Sequence, residues 1–309
     1  MIAVKQTIDA ARQPSDQNLH IRALTLWLFT VVVFWHPLVG LAKLSFQDEN
    51  SSHVLLIPLV SGILLFLRRK KIFADAAFTP ALGGPPLLIA LVLRYGLAGA
   101  LGTLNNTDSL AVFTSLIVLS WIAVFLLCYG AAPLKAAVFP LFYLVLMVPL
   151  PVAALQDLIS LLQKGSADTC NVLFRLLGVP VLRHGFQFSL PTIDIEVARQ
   201  CSGIHSGLSL IIVGLLAGHL VLPGTWRKVF FASCILPIAI FKNAVRIVTI
   251  SWFGIYVDRG FLYGRLHREG GLPFSLVALA LIAIVLWLLR RPWPRIAHGS
   301  RVRGQAAEA

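Results

Sequence analysis

The stretch "LAVFTSLIVLSWIAVFLLC" (residues 110–128) carries no charged residue. At 1.5 Å per residue a helix of that length rises about 28 Å, close to the roughly 30 Å hydrocarbon core of a bilayer. Such a run reads as a membrane-spanning helix. It has company: apolar runs at about 24–42, 53–67, 82–101, 136–153, 202–222, 229–252 and 273–289 repeat the pattern. Hydrophobic residues make up 58% of the 309, and charged residues only 13%, where a soluble domain would carry about 25% charged residues. The mean hydropathy is +0.83. The expected fold class is therefore all-α, a polytopic integral membrane protein with about eight transmembrane helices.

The intervals between the runs set the expected organisation. Residues 1–20 read as a polar cytoplasmic tail, 21–291 as one transmembrane domain and 292–309 as a basic cytoplasmic tail. No short apolar core with a small-residue cleavage site marks a removable signal peptide. Between the fifth and sixth spans lies a less apolar outer segment, about 154–200. It holds the partly amphipathic "LQDLISLLQKGSADTCNVLFRLLG" and then "FSLPTIDIEVARQ", in which "IDIEV" alternates as a strand does.

A net charge of +13, from 26 Lys and Arg against 13 Asp and Glu, first suggests nucleic acid. The basic residues instead cluster between spans, as in "RRKK" (68–71) and "RRPWPR" (290–295), with no basic face interleaved with aromatics. Nucleic acid is thus excluded as a partner, and anionic lipid is the partner the charge implies. With both ends inside, fifteen Lys and Arg fall on inner segments, eight on outer segments and three within spans. The positive-inside bias favours that orientation. Four cysteines (Cys128, Cys170, Cys201, Cys234) show neither a CxxC pair nor metal-ligand spacing, so no metal or cofactor is implied.

In this orientation chemistry-bearing residues from separate segments converge on the outer face. Cys201, Ser202 and His205 stand at the head of the sixth span, in "ARQCSGIHSGLSL" (198–210). If helix begins at 201, Cys201, His205 and Ser209 stack at i, i+4 and i+8, and Ser202 or the turn before it caps the helix. A thiol there feels the positive end of the helix dipole, which favours the thiolate. The bland reading is a packing face of small residues. Lys242, Asn243 and Arg246 form a polar stripe in the seventh span, and ionisable groups inside a span usually face a cavity or partner. Arg246 lies seventeen residues beyond Val229, about 26 Å along the helix and near the outer surface. His267 sits in the next outer loop, and His205, His53 and His184 are rival bases on the same side. Residue chemistry and topology alone reach a thiol enzyme acting at the outer face. The rival class is a transporter or polysaccharide-export component whose polar stripe lines a permeation path.

"IEVARQCSGIHSGLSL", then "KNAVRI", then "LHREGGLPF", with "SSHVLLIPLV" (51–60) ahead of them, resemble the exosortase/archaeosortase family of membrane cysteine transpeptidase-like enzymes. The resemblance covers about residues 45–290. It implies Cys201 as nucleophile, His267 as general base and acid, and Arg246 as the third catalytic residue, with Asn243, Ser202, His205 and His53 in support. It also implies the substrates: exported proteins ending in a motif such as Pro-Glu-Pro, one transmembrane helix and a basic tail. These would be cleaved at the outer face of a bacterial cytoplasmic membrane and transferred to an acceptor linked to extracellular polysaccharide. The chain departs from the family pattern at His205, where Arg is common, and at Val54, where glycine is usual.

Overall fold

The computed structural model describes residues 2–258, 260–263 and 271–291. The run that opened the sequence reading is one unbroken helix of 24 residues. Helix α5 (Asn106–Tyr129; α1–α4 are bounded below) is apolar on all sides and among the most buried of the long helices. A helix hydrophobic all round must be surrounded, and α5 is the axis of the amino-terminal half. Asn105 caps it, its Oδ1 accepting from the Asp108 amide at 2.8 Å.

Ahead of α5 come α1 (Ile2–Val33), α2 (Trp35–Gln47), α3 (Leu56–Leu67) and α4 (Pro80–Gly96). The expected tail 1–20 is thus mostly helix, continuous with the first span. Helices α1 and α2 meet at a 74° bend. Pro37 explains it: its missing amide and its ring both fall on the carbonyl of Val33, four residues back. Helix α4 packs along α5 so closely that a Cβ on Gly83 would lie 2.3 Å from the Leu127 amide nitrogen. Without a hydrophobic driving force between helices in lipid, such close approach is what holds them together.

The expected fifth span, 136–153, is a broken one. Helix α6 (Val138–Tyr143) continues as a 3-10 turn to Met147, and then Pro149 and Pro151 stop it. The chain resumes as α7 (Val152–Leu176), turned by 95°. Asp108 Oδ1 accepts from the Val152 amide at 2.8 Å and ties the start of α7 to the start of α5. The amphipathic reading of this segment holds: Leu162, Ser166, Ala167, Cys170 and Phe174 are buried.

After α7 come three short antiparallel strands in order, β1 (Leu182–His184), β2 (Gln187–Ser189) and β3 (Asp194–Glu196). The alternating "IDIEV" is β3, so a small sheet is added to the otherwise helical class. Phe188 is fully buried on this sheet, 6.0 Å from the Phe174 ring. The carboxy-terminal half is a hairpin of α8 (Ile204–Val221) and α9 (Thr225–Tyr256), with α10 (Gly271–Arg290) packed against both through Ala278 and Ile282.

Among the described residues five helices are long and apolar enough to span a membrane, and up to seven if each bent pair counts as one span. Helix α4, at 17 residues, falls just short of that length. Large apolar side chains face outward around the bundle, Phe46 and Trp226 among them. In water that surface would be a liability; in lipid it is the expected exterior. The chain is a multi-pass membrane protein.

Candidate active site

The sequence reading placed Cys201 on the first turn of the sixth span. The structure places it one element earlier, in a 3-10 turn, Arg199–Ser202, directly after the sheet. Gly203 follows with φ +76°, in the left-handed region that glycine alone enters freely, and caps α8 without a side-chain bond. Cys201 therefore lies off α8, and the i, i+4, i+8 alignment with His205 and Ser209 does not form. Only His205 and Ser209 share the helix, and both are exposed.

Gly203 is fixed by space as well as by φ. A Cβ built there would lie 2.9 Å from Asn243 Oδ1 and 3.0 Å from its Cγ. The glycine of the Cys-Ser-Gly stretch thus seats the asparagine of α9 directly beneath the Cys201 turn. Asn243 is 2% exposed, and its Nδ2 donates to Ser166 Oγ of α7 at 2.9 Å. Three segments far apart in sequence meet at one asparagine.

A second chain of hydrogen bonds runs beside the first. The Lys242 ammonium, 4% exposed, donates to Ser206 Oγ, and Ser206 Oγ donates to the Gly203 carbonyl at 3.1 Å. Gln163 Nε2 of α7 donates to the Val197 carbonyl at 2.6 Å and anchors the strand that leads into the turn. Ser202 is 1% exposed, and its Oγ meets no hydrogen-bond partner among the described residues. Arg246, half-buried, stands one turn beyond Lys242 on α9 and bears on its charge.

His53 comes to the same region from the turn before α3. It faces the Leu146 backbone, and the charges of His205 and Asp48 act on it. The structure thus brings Asn243 against the turn that carries Cys201 and Ser202, with Arg246 one helical turn further along α9, and sets His53 within reach of the His205 charge. His267 lies outside the described residues. Of the other basic residues that the charge pattern assigned to the outer side, Arg183 is engaged in a 2.8 Å ion pair with Asp168, and Arg199 is exposed. Cys170 is fully buried and directs its thiol to the Ala244 carbonyl at 3.7 Å.

Gln163, Ser166 and the Ser206–Lys242 bond were not singled out by the sequence. Lys242 showed as part of the polar stripe. Gln163 and Ser166 had no signal beyond lying on the buried side of an amphipathic helix, because a helix's partner is not written in its own periodicity. Among the described residues no group of three or more His, Cys, Asp or Glu side chains is placed to hold a metal ion.

The sequence profile of the family described as transmembrane exosortase matches residues 41–286, most of the chain. The chain belongs to the transmembrane exosortase family. The match spans α2 through most of α10, so the turn at Cys201, the α9 stripe and the His53 turn all lie inside it. No curated protein and no solved structure matches the chain.

Proposed function

We propose that this chain is a membrane-embedded cysteine protease and transpeptidase that cleaves the C-terminal sorting signals of exported proteins. Membership of the exosortase family supports the class. The observation that carries the residue-level reading is the seating of Asn243 under Gly203, which joins the Cys-Ser-Gly stretch to the Asn-x-x-Arg stretch.

In this reading the Cys201 thiolate attacks the peptide carbonyl and forms a tetrahedral intermediate. Its collapse expels the amine, which takes the proton that His267 had received from the Cys201 thiol, and leaves a thioester on Cys201. Arg246 stays charged and offers several donors, which suits it to the thiolate or to the oxyanion of the intermediate. An acceptor nucleophile linked to extracellular polysaccharide then takes the acyl group. Lys242, Ser206 and Asn243 act as positioning residues for the turn that carries Cys201, and His53 and His205 line its approach. The site faces the exterior of a bacterial cytoplasmic membrane, the side the charge bias assigns, so the scissile bond sits just outside the bilayer. Eight crossings with both ends inside agree with this if α4 and each bent pair cross once.

The test is co-expression with a tagged substrate ending in a Pro-Glu-Pro-type motif, a transmembrane helix and a basic tail. Processing by the intact enzyme, with unprocessed substrate accumulating for Cys201→Ala, is the expected result. Equal processing in both would remove Cys201 from the reaction and return the polar stripe to a transport or export role.

A further inference from the structure

At the end of the α8–α9 hairpin remote from Cys201, about 22 Å along α8 from Ile204, lies a second polar cluster. His219, in the last turn of α8, stacks flat on Phe139 of α6, the rings 3.6 Å apart and 6° from parallel. Lys228, in the first turn of α9, places its ammonium 3.4 Å from His219 Nδ1. A lysine ammonium only donates, so Nδ1 accepts and the ring proton resides on Nε2. That Nε2 is enclosed and meets no partner among the described residues. The third member is Arg68, which closes α3; its charge acts on both His219 and Lys228.

Four helices thus bring an imidazole and Lys228 together in the field of Arg68, and the charges that act on His219 and Lys228 are cationic. Helix-terminus electrostatics account for part of this. His219 and Arg68 sit at helix C-termini, where positive charge is favourable. Lys228 does not fit that account, because it stands in the first turn of a 32-residue helix, where the dipole opposes a cation. The stacked imidazole nevertheless holds it there. Gly224 leaves the start of α9 without a side-chain cap, so its first amides point outward as donors. An anion at this point would be met by two remaining ammonium protons of Lys228 and by helix-terminal amides, in the field of the Arg68 charge, a setting suited to a tetrahedral oxyanion.

We propose that Arg68 and Lys228, with His219 as the residue that positions the lysine, form a binding site for a phosphate group. The group is either the headgroup phosphate of a membrane lipid or free inorganic phosphate. The site stands apart from Cys201 and does not depend on the proposed reaction.

The experiment titrates the purified full-length chain in detergent, following thermal unfolding and bound ligand. One arm uses inorganic phosphate and the other phosphatidylglycerol in mixed micelles. The intact chain is expected to bind and be stabilised by at least one of them. A response to lipid alone assigns the headgroup; a response to both assigns a site that free phosphate satisfies. R68Q/K228Q should weaken the binding by about tenfold or more, as the loss of charge-assisted hydrogen bonds implies. K70Q/K71Q, which removes the same charge from exposed neighbours, should leave it within about twofold. His219→Phe keeps the stack, frees the lysine and should give an intermediate loss, while Lys228→Arg should retain binding. If R68Q/K228Q does not fold, the intact chain, His219→Phe and Lys228→Arg still decide. No response of the intact chain in either arm, or an equal loss in K70Q/K71Q, would overturn the site.

Discussion

The α8–α9 hairpin uses one device at both ends, with opposite guests. Toward the far end, Gly214 and Gly218 of α8 clear space for apolar side chains: a Cβ would lie 2.7 Å from Ile235 Cδ1 and 2.6 Å from Phe231 Cδ1. At the Cys201 end, Gly203 clears space for Asn243, and the surrounding bonds run through Lys242, Ser206 and Ser166. The first two glycines let helices approach and do no more. The third admits an amide into a buried polar network, and such networks are rigid when satisfied and unstable when a member is missing. What a glycine admits, rather than the glycine itself, separates the part of the hairpin that builds the fold from the part that builds the site.

The largest way to break the contrast is Gly203→Ala. It puts a side chain at φ +76° and drives a methyl into Asn243, about 3 kcal/mol in all. Processing of a tagged substrate should fall below detection, by more than any fall in the amount of protein in the membrane. A fully active Gly203→Ala would separate the Cys201 turn from the α9 stripe. Gly218→Ala should instead lower the thermal midpoint, by about 2 kcal/mol of overpacking against Phe231, and leave the activity of the surviving folded enzyme unchanged. If Gly218→Ala lowered activity at full stability, the division between the two ends would be wrong.

Lys242 sharpens the comparison from the polar side. Lys242→Met keeps most of the volume and the apolar stem but removes the donor to Ser206. Loss of one charge-assisted bond amounts to about 1.5 kcal/mol, roughly tenfold in rate. The loss should appear in kcat rather than KM if the bond positions the turn, and Lys242→Arg should recover part of it. A change confined to KM would make Lys242 a substrate contact instead.

The same contrast explains what could be read from the sequence. Helices α5, α8 and α9 were legible because an unbroken apolar run has one physical meaning at that length. The bends at Pro37 and at Pro149–Pro151 were not, because hydropathy stays high across a proline that turns the chain by 74° or 95°. Cys201, Asn243 and Arg246 stood out as polar residues in apolar surroundings. The helix begins three residues later than the expected 201, since Gly203 in the left-handed region, and not Ser202, ends the turn. The partners on α7 were invisible: the pattern of Val152–Leu176 shows that one face is buried, without showing what buries it.

Ser166 is the smallest and most discriminating test of that hidden contact. Its hydroxyl accepts from Asn243 Nδ2 at 2.9 Å and is fully buried. Ser166→Ala leaves the fold's volume almost intact and strands one amide proton, about 1 kcal/mol. A matching loss in processing, near fivefold by the same figure, would mean that α7 supports the site by holding Asn243 in register. A stability loss without a change in rate would mean that α7 merely shields the site from lipid. Asn243→Ser in the Ser166→Ala background decides between them: if the hydrogen bond carries the effect, the second change adds less than it does alone.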